Sequence, residues 1–150
     1  MDLQRTVTNG RVQHDGPAVA AAADDYGHLV HRIPSSVVET SSVDDVAAVL
    51  RLCTARGIPV TPRGQGHSTH GQAQVDGGVV IETRGLKTIE WDRDNRIRVQ
   101  AGALWSEVLS HTIQRGRAPQ VLTDYMELSV GGNAFGWRDR RCRTPVRCPD

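Results

Sequence analysis

Apolar positions along this chain change their period several times, and each change marks an element. Pro17 to Asp25 is rich in alanine and predicts a short helix, with Pro17 in the first turn where its missing N–H does no harm. Val37-Val38, after Pro34-Ser35-Ser36, predicts a strand. Ser42 then has the character of an N-cap, and Asp44 and Asp45 fall in the first turn, where acids suit the helix dipole. Val46, Val49, Leu50 and Cys53 recur at helical spacing until Gly57 ends the helix. Ile58-Pro59-Val60-Thr61 predicts a buried strand, so residues 37–61 read as a strand–helix–strand unit of a parallel sheet. Gly77-Gly78 turns into a strand from Val79 to Thr83, and Arg96 to Gln100 alternates as a half-buried strand does. Leu104 to Arg115 predicts an amphipathic helix with Leu104, Val108 and Leu109 on one face and Gly116 after it. Residues 1–16 are polar and carry little periodic signal.

Composition narrows the class. The 150 residues are 38% hydrophobic and 23% charged, ordinary for one globular domain, and argue against bulk disorder or a coiled coil. A chain of this size removes roughly 70% of its unfolded surface from water. No run approaches the roughly 20 apolar residues that a membrane helix needs. Ala18 to Ala23 is short and lacks a basic flank, so no signal peptide is expected and a cytoplasmic setting is. The net charge of +1 argues against a nucleic-acid surface and against strong membrane attraction. That charge is uneven: residues 1–132 carry −2 and residues 133–150 carry +3, with Cys142 and Cys148 also in the tail. Three cysteines without a secretion signal argue against a disulfide framework, and Cys53 reads as a small core residue. Trp91 and Trp105 read as packing residues.

The chemistry concentrates in Arg63-Gly64-Gln65-Gly66-His67-Ser68-Thr69-His70-Gly71-Gln72, immediately after a strand. Glycines at 64 and 66 let backbone N–H groups approach a ligand, and successive N–H groups after a strand form a nest for a phosphate anion, to which Arg63 would add charge. The spacing is neither a Walker loop nor a complete G-x-G-x-x-G, and a tight polar turn is an equal reading of the pattern alone. His67 and His70 raise a metal site, for which zinc would want about two more ligands. The glycines on either side favour hydrogen-bonding loop histidines, and no metal is expected.

The segment from Arg63 to Ser68, with Gly71-Gln72 beyond it, resembles the flavin loop of FAD-linked oxidases of the vanillyl-alcohol oxidase and p-cresol methylhydroxylase type, nearest to cytokinin-dehydrogenase-like members. Further stretches fit the family order: Ile58-Pro59-Val60, Gly78-Val79-Val80-Ile81 with Arg84-Gly85-Leu86, Ala101-Gly102-Ala103-Leu104-Trp105, and Leu122-Thr123-Asp124-Tyr125-Met126-Glu127-Leu128-Ser129-Val130-Gly131-Gly132. The resemblance covers residues 18–132, between an N-terminal extension at 1–17 and a tail at 133–150. It implies an α+β (α/β) fold: the N-terminal lobe of a PCMH-type FAD-binding domain, a small parallel β-sheet with helices plus the start of a second, mixed or antiparallel, sheet lobe.

The resemblance implies FAD as cofactor, with backbone at Gly64, Gln65 and Gly66 cradling its pyrophosphate and His67 bonded covalently to the flavin 8α-methyl. A neutral imidazole is a competent nucleophile for such a link. Ser68 and Gln72 match positions that hydrogen-bond the cofactor, Ser129 one that meets the FAD phosphates, and Gly131 and Gly132 allow close backbone approach. Asp124 matches an aspartate that takes a proton from a substrate amine, and a carboxylate buried beside a flavin would be pushed up into the range of a base. The implied parent reaction moves hydride from a C–H beside nitrogen or oxygen to the flavin of a small-molecule oxidoreductase. A sugar, aldonolactone or alcohol substrate, or a non-catalytic anion-binding or interaction module, is the alternative.

The family pattern breaks after Gly132, where Asn133 to Cys142 replaces the expected Thr-Leu-Ser-Val-Gly-Gly-Ile-Gly-Gly. One codon set for these residues encodes the expected segment once its first base is dropped. Residues 133–150 are therefore expected to be an out-of-frame tail, and the chain a fragment that holds FAD weakly or not at all and does not turn over alone.

Overall fold

The structure, a computed structural model, describes residues 3–93 and 95–136. Most of the tail, residues 137–150 with Cys142 and Cys148, lies outside the described residues. In chain order the elements are α1 (Leu3–Thr6), β1 (Gly10–Gln13), α2 (Gly16–Ala23), β2 (Ser36–Thr40), α3 (Val43–Ala55), β3 (Val60–Arg63), β4 (Val79–Glu82), β5 (Ile89–Trp91), β6 (Ile97–Val99), α4 (Trp105–Ile113) and α5 (Val130–Gly136).

The four longer-range strands form one sheet in the order β1-β2-β4-β3. β2 and β3 both run parallel to β4, and β1 closes one edge antiparallel to β2. Successive side chains of a strand point to opposite faces, so Val37 and Val80 meet α2 residues Val19 and Ala22 on one side. Val38, Val79 and Ile81 pack on the other side against Val49 and Cys53 of α3 and against Leu3 and Val7. Both faces are covered, as a parallel sheet requires. Every residue of β4 is buried accordingly. β5 and β6 form a separate antiparallel hairpin, the start of the second sheet.

Local chemistry sets the helix ends as read. The hydroxyl oxygen of Ser42 accepts the Asp45 N–H at 3.4 Å, and Gly57 (φ +64°) ends α3 with its N–H on the Thr54 carbonyl. Asp45 is buried with both oxygens occupied: they accept from the Thr8 N–H and hydroxyl, the Asn9 N–H and the Thr40 hydroxyl. This ties the N-terminal segment to α3.

Three expectations need correction. Residues 1–16 are more than a polar extension: Leu3 and Val7 are core residues, and Gly10–Gln13 supply a strand. The strand expected to be buried at 58–61 is shifted to Val60–Arg63 and half-buried, because β3 is an edge. Leu50 is 44% exposed; the buried face of α3 runs through Asp45, Val49 and Cys53. The packing role of Trp91 does appear, with His111 stacked on its ring at 6.0 Å and the Arg115 guanidinium 4.7 Å from its centroid.

Candidate functional site: the glycine loop and His67

β3 ends at Arg63 and the chain leaves the sheet as a loop that returns at Gly78. The Arg63 guanidinium turns back into the fold, pairing with Glu82 Oε1 at 2.8 Å and donating to the Ala21 carbonyl at 2.9 Å. Glu82, itself buried, takes Arg84 on its other oxygen at 2.9 Å. The charge that the sequence offered to an anion is thus engaged in holding α2 to the sheet, and what Arg63 offers the loop is backbone.

Two glycines are dictated by contact. A Cβ on Gly64 would overlap the Ser129 hydroxyl, and one on Gly66 (φ +75°) would run into the Arg63 guanidinium. The first contact joins stretches far apart in sequence. Ser129 is buried and bridges Leu104, while Val130 and Gly131 donate N–H groups to the Ala103 and Ala101 carbonyls. Gly131 lies tight on Ala101, and Gly132 beside Ser129 Oγ. The glycine loop and the start of α5 at Ser129–Gly132 therefore face one another.

Buried backbone N–H groups in a fold almost always find acceptors. This loop is half-buried from Gly64 to Ser68 and exposed at Thr69, and among the described residues none accepts from the backbone N–H groups of Gly64 through Thr69, which leaves them open to solvent or a ligand. The next two are engaged, His70 by Gln72 Oε1 at 3.1 Å and Gly71 by Asp25 Oδ2 at 3.1 Å. A row of donors that no described residue engages, followed by engaged ones, is the makeup of an anion nest.

His67 stands within that row. Its ring stacks on Tyr26 (centroids 4.6 Å apart, planes at 27°) and meets Tyr125 on a tilted plane at 5.2 Å. Its Nδ1 is buried and has no hydrogen-bond partner among the described residues. Among the described residues no group of three or more His, Cys, Asp or Glu could hold a metal ion.

The remaining candidates divide. Ser68 holds the loop through its carbonyl, which accepts the Tyr26 N–H at 3.0 Å. Gln72 is exposed, and its side-chain oxygen closes the loop on His70. Asp124 is brought to the His67 end by its neighbour Tyr125, but it is exposed and accepts from the Thr123 hydroxyl at 3.3 Å. The burial expected to raise its carboxyl is not supplied by the described residues.

Sequence reasoning missed Asp25, Tyr26 and Gln74. Asp25 is buried, and burial pushes its carboxyl up; the backbone N–H groups of Leu29, Val30 and Gly71 and nearby His28 outweigh that and hold it below its ordinary 3.8. Gln74 Nε2 donates to the Ala23 and Val30 carbonyls at 2.8 and 3.0 Å. One signal was legible: an acid just past a helix C-terminus opposes the dipole, so Asp25 needed a reason to be there.

Residues 34–137 match the family described as FAD binding domain. An uncharacterized oxidoreductase, ORF5 of the fasciation locus of Rhodococcoides fascians, is 40% identical over 118 residues, covering 79% of this chain and 27% of that protein. Cytokinin dehydrogenase 7 of Oryza sativa subsp. japonica is 34% identical over 143 residues, covering 87% of this chain and 26% of the relative. Among solved structures, 6-hydroxy-D-nicotine oxidase from Arthrobacter nicotinovorans superposes with a TM-score of 0.72 at 25% identity, over 83% of this chain and 28% of that one. The chain spans about a quarter of the length of the curated relatives it matches. The fold class read from the sequence, the oxidoreductase resemblance and FAD as the family's cofactor all agree with these matches. With the match running over most of its length, the chain belongs to the FAD binding domain family of flavin-dependent oxidoreductases.

Proposed function

We propose that this stretch carries the pyrophosphate nest and the flavin attachment point of an oxidoreductase that takes hydride from a C–H beside nitrogen or oxygen of a small molecule. The observation that carries the reading is the conjunction at one loop: a row of backbone N–H groups from Gly64 to Thr69 that no described residue engages, and within it the imidazole of His67, whose buried Nδ1 has no partner among the described residues. FAD presents a diphosphate and an oxidising ring joined by a short linker, and the loop offers a matching set of donors and a nucleophilic nitrogen. FAD, when bound, supplies the hydride acceptor.

This chain's own residues bind and orient. Gly64, Gln65 and Gly66 hold the diphosphate through backbone donors, Ser68 lies beside them, and Ser129 with Gly131 and Gly132 approaches from the opposite side. Gln72 serves by fixing the turn after the nest. His67 is the attachment point, its ring kept in place by Tyr26 and Tyr125. Asp124, exposed and one residue from Tyr125, is open to a substrate and can take its proton. Among the described residues no helix is long and apolar enough to cross a membrane. The cytoplasmic setting belongs to this proposal, and cell fractionation checks it.

Flavin fluorescence tests the reading. The chain, at concentrations on the order of a millimolar, is expected to quench FAD emission by stacking it on the tyrosines, with inorganic pyrophosphate reversing the quench. Quenching that pyrophosphate leaves untouched, or that an unrelated protein of equal tyrosine content reproduces, would contradict it.

A further inference from the structure

The imidazole of His67 is gripped by rings and not through Nδ1. Tyr26 is the nearer and more nearly parallel of the two. It is also 62% exposed, so filling the core does not explain it. Its backbone, by contrast, is fixed on every side. The Tyr26 N–H donates to the Ser68 carbonyl, one residue beyond the histidine. Buried Asp25 before it accepts from Gly71 and Leu29. Gln74 clamps the carbonyls of Ala23 and Val30 on either side, and Gly27 fits against Thr69 with no room to spare. An exposed ring on a backbone tied down by hydrogen bonds, stacked on a loop histidine, acts on that histidine and does not fill a core.

We propose that Tyr26 is a positioning residue for His67: its ring, carried on the Asp25–Gln74 clamp, covers one face of the imidazole and pins it in its orientation. A buried ring nitrogen without a partner gains by turning toward one, and a stacked face opposes that turn. The contact is ring to ring, so the tyrosine hydroxyl is dispensable. The purpose of the device rests on His67 being the flavin attachment point, but the geometry is measurable with no flavin present.

Diethyl pyrocarbonate acylates accessible neutral imidazoles, and peptide mass spectrometry of the treated chain gives a rate for each histidine. Y26A is expected to raise the rate at His67 by about three- to tenfold, the factor that one aromatic contact supports. Y26F is expected to keep the wild-type rate. In both variants the amide signals of Gly64 to Thr69 should stay dispersed, apart from the small shifts that loss of a neighbouring ring current brings, and the rates at His14 and His31 should not change. Equal rates in Y26A and wild type would overturn the proposal, as would a rise in Y26F matching that in Y26A. So would a rise in Y26A accompanied by loss of the loop's amide dispersion, since Tyr26 would then only support the backbone. No readout uses FAD, so a failure here leaves the flavin reading standing, and a failure of FAD quenching leaves this one standing.

Discussion

Asp25 sits one residue past the C-cap of α2, where the helix dipole disfavours an acid. It is kept there by the N–H groups it accepts, which also join two segments that carry the site. Its depressed pKa has a defined consequence for stability. The unfolded carboxyl titrates near 3.8 and the folded one lower, so the contribution is complete only from about pH 5 upward, begins to fall as pH approaches the unfolded value, and is lost as pH falls through the folded one. Asp25→Asn presents donors to donors at Gly71 and is expected to lower Tm at pH 7. The difference from wild type should close as melting is followed below pH 4. A gap that persists unchanged into acid would show that the charge is not what matters.

Elements tell which parts of the fold a sequence can announce. α3 and α4 were legible because each has one apolar face and a chemical start or stop such as Ser42 or Gly57, α2 because of its run of alanines, and β2 and β4 because their short apolar runs are buried on both faces. β1 was not, since Gly10-Arg11-Val12-Gln13 holds a single apolar residue; pairing with β2, not side-chain period, makes it a strand. Whether β3 is buried depends on its place at the edge, which no local pattern records. The N-terminal segment is therefore expected to matter more than its composition suggests. Leu3→Ala removes a side chain with no exposure from the α1–α3 side of the core and should cost about 2–5 kcal/mol by urea unfolding. A cost near zero would return residues 1–13 to the status of an extension.

Across the whole molecule, the site is assembled from three remote stretches around the loop at 64–76. The glycines and His67 stood out as a motif after a strand, and the requirement at Gly66 is local, set by its positive φ and by Arg63. The meeting of Gly64 with Ser129 and of His67 with Tyr26 could not, because tertiary packing alone creates it. Arg63 makes the same point in reverse, since its charge was visible but its partner Glu82, across the parallel β3–β4 pair, was not. The central claim is that a diphosphate nest and an aromatic-flanked imidazole form one dinucleotide site. Nuclear magnetic resonance of the labelled chain, titrated separately with ADP and with FAD, tests it directly. Both ligands should move the amides of Gly64 to Thr69, and FAD alone should also move the ring signals of His67, Tyr26 and Tyr125. Amides at 64–69 indifferent to both ligands, or rings that respond equally to ADP, would contradict the account.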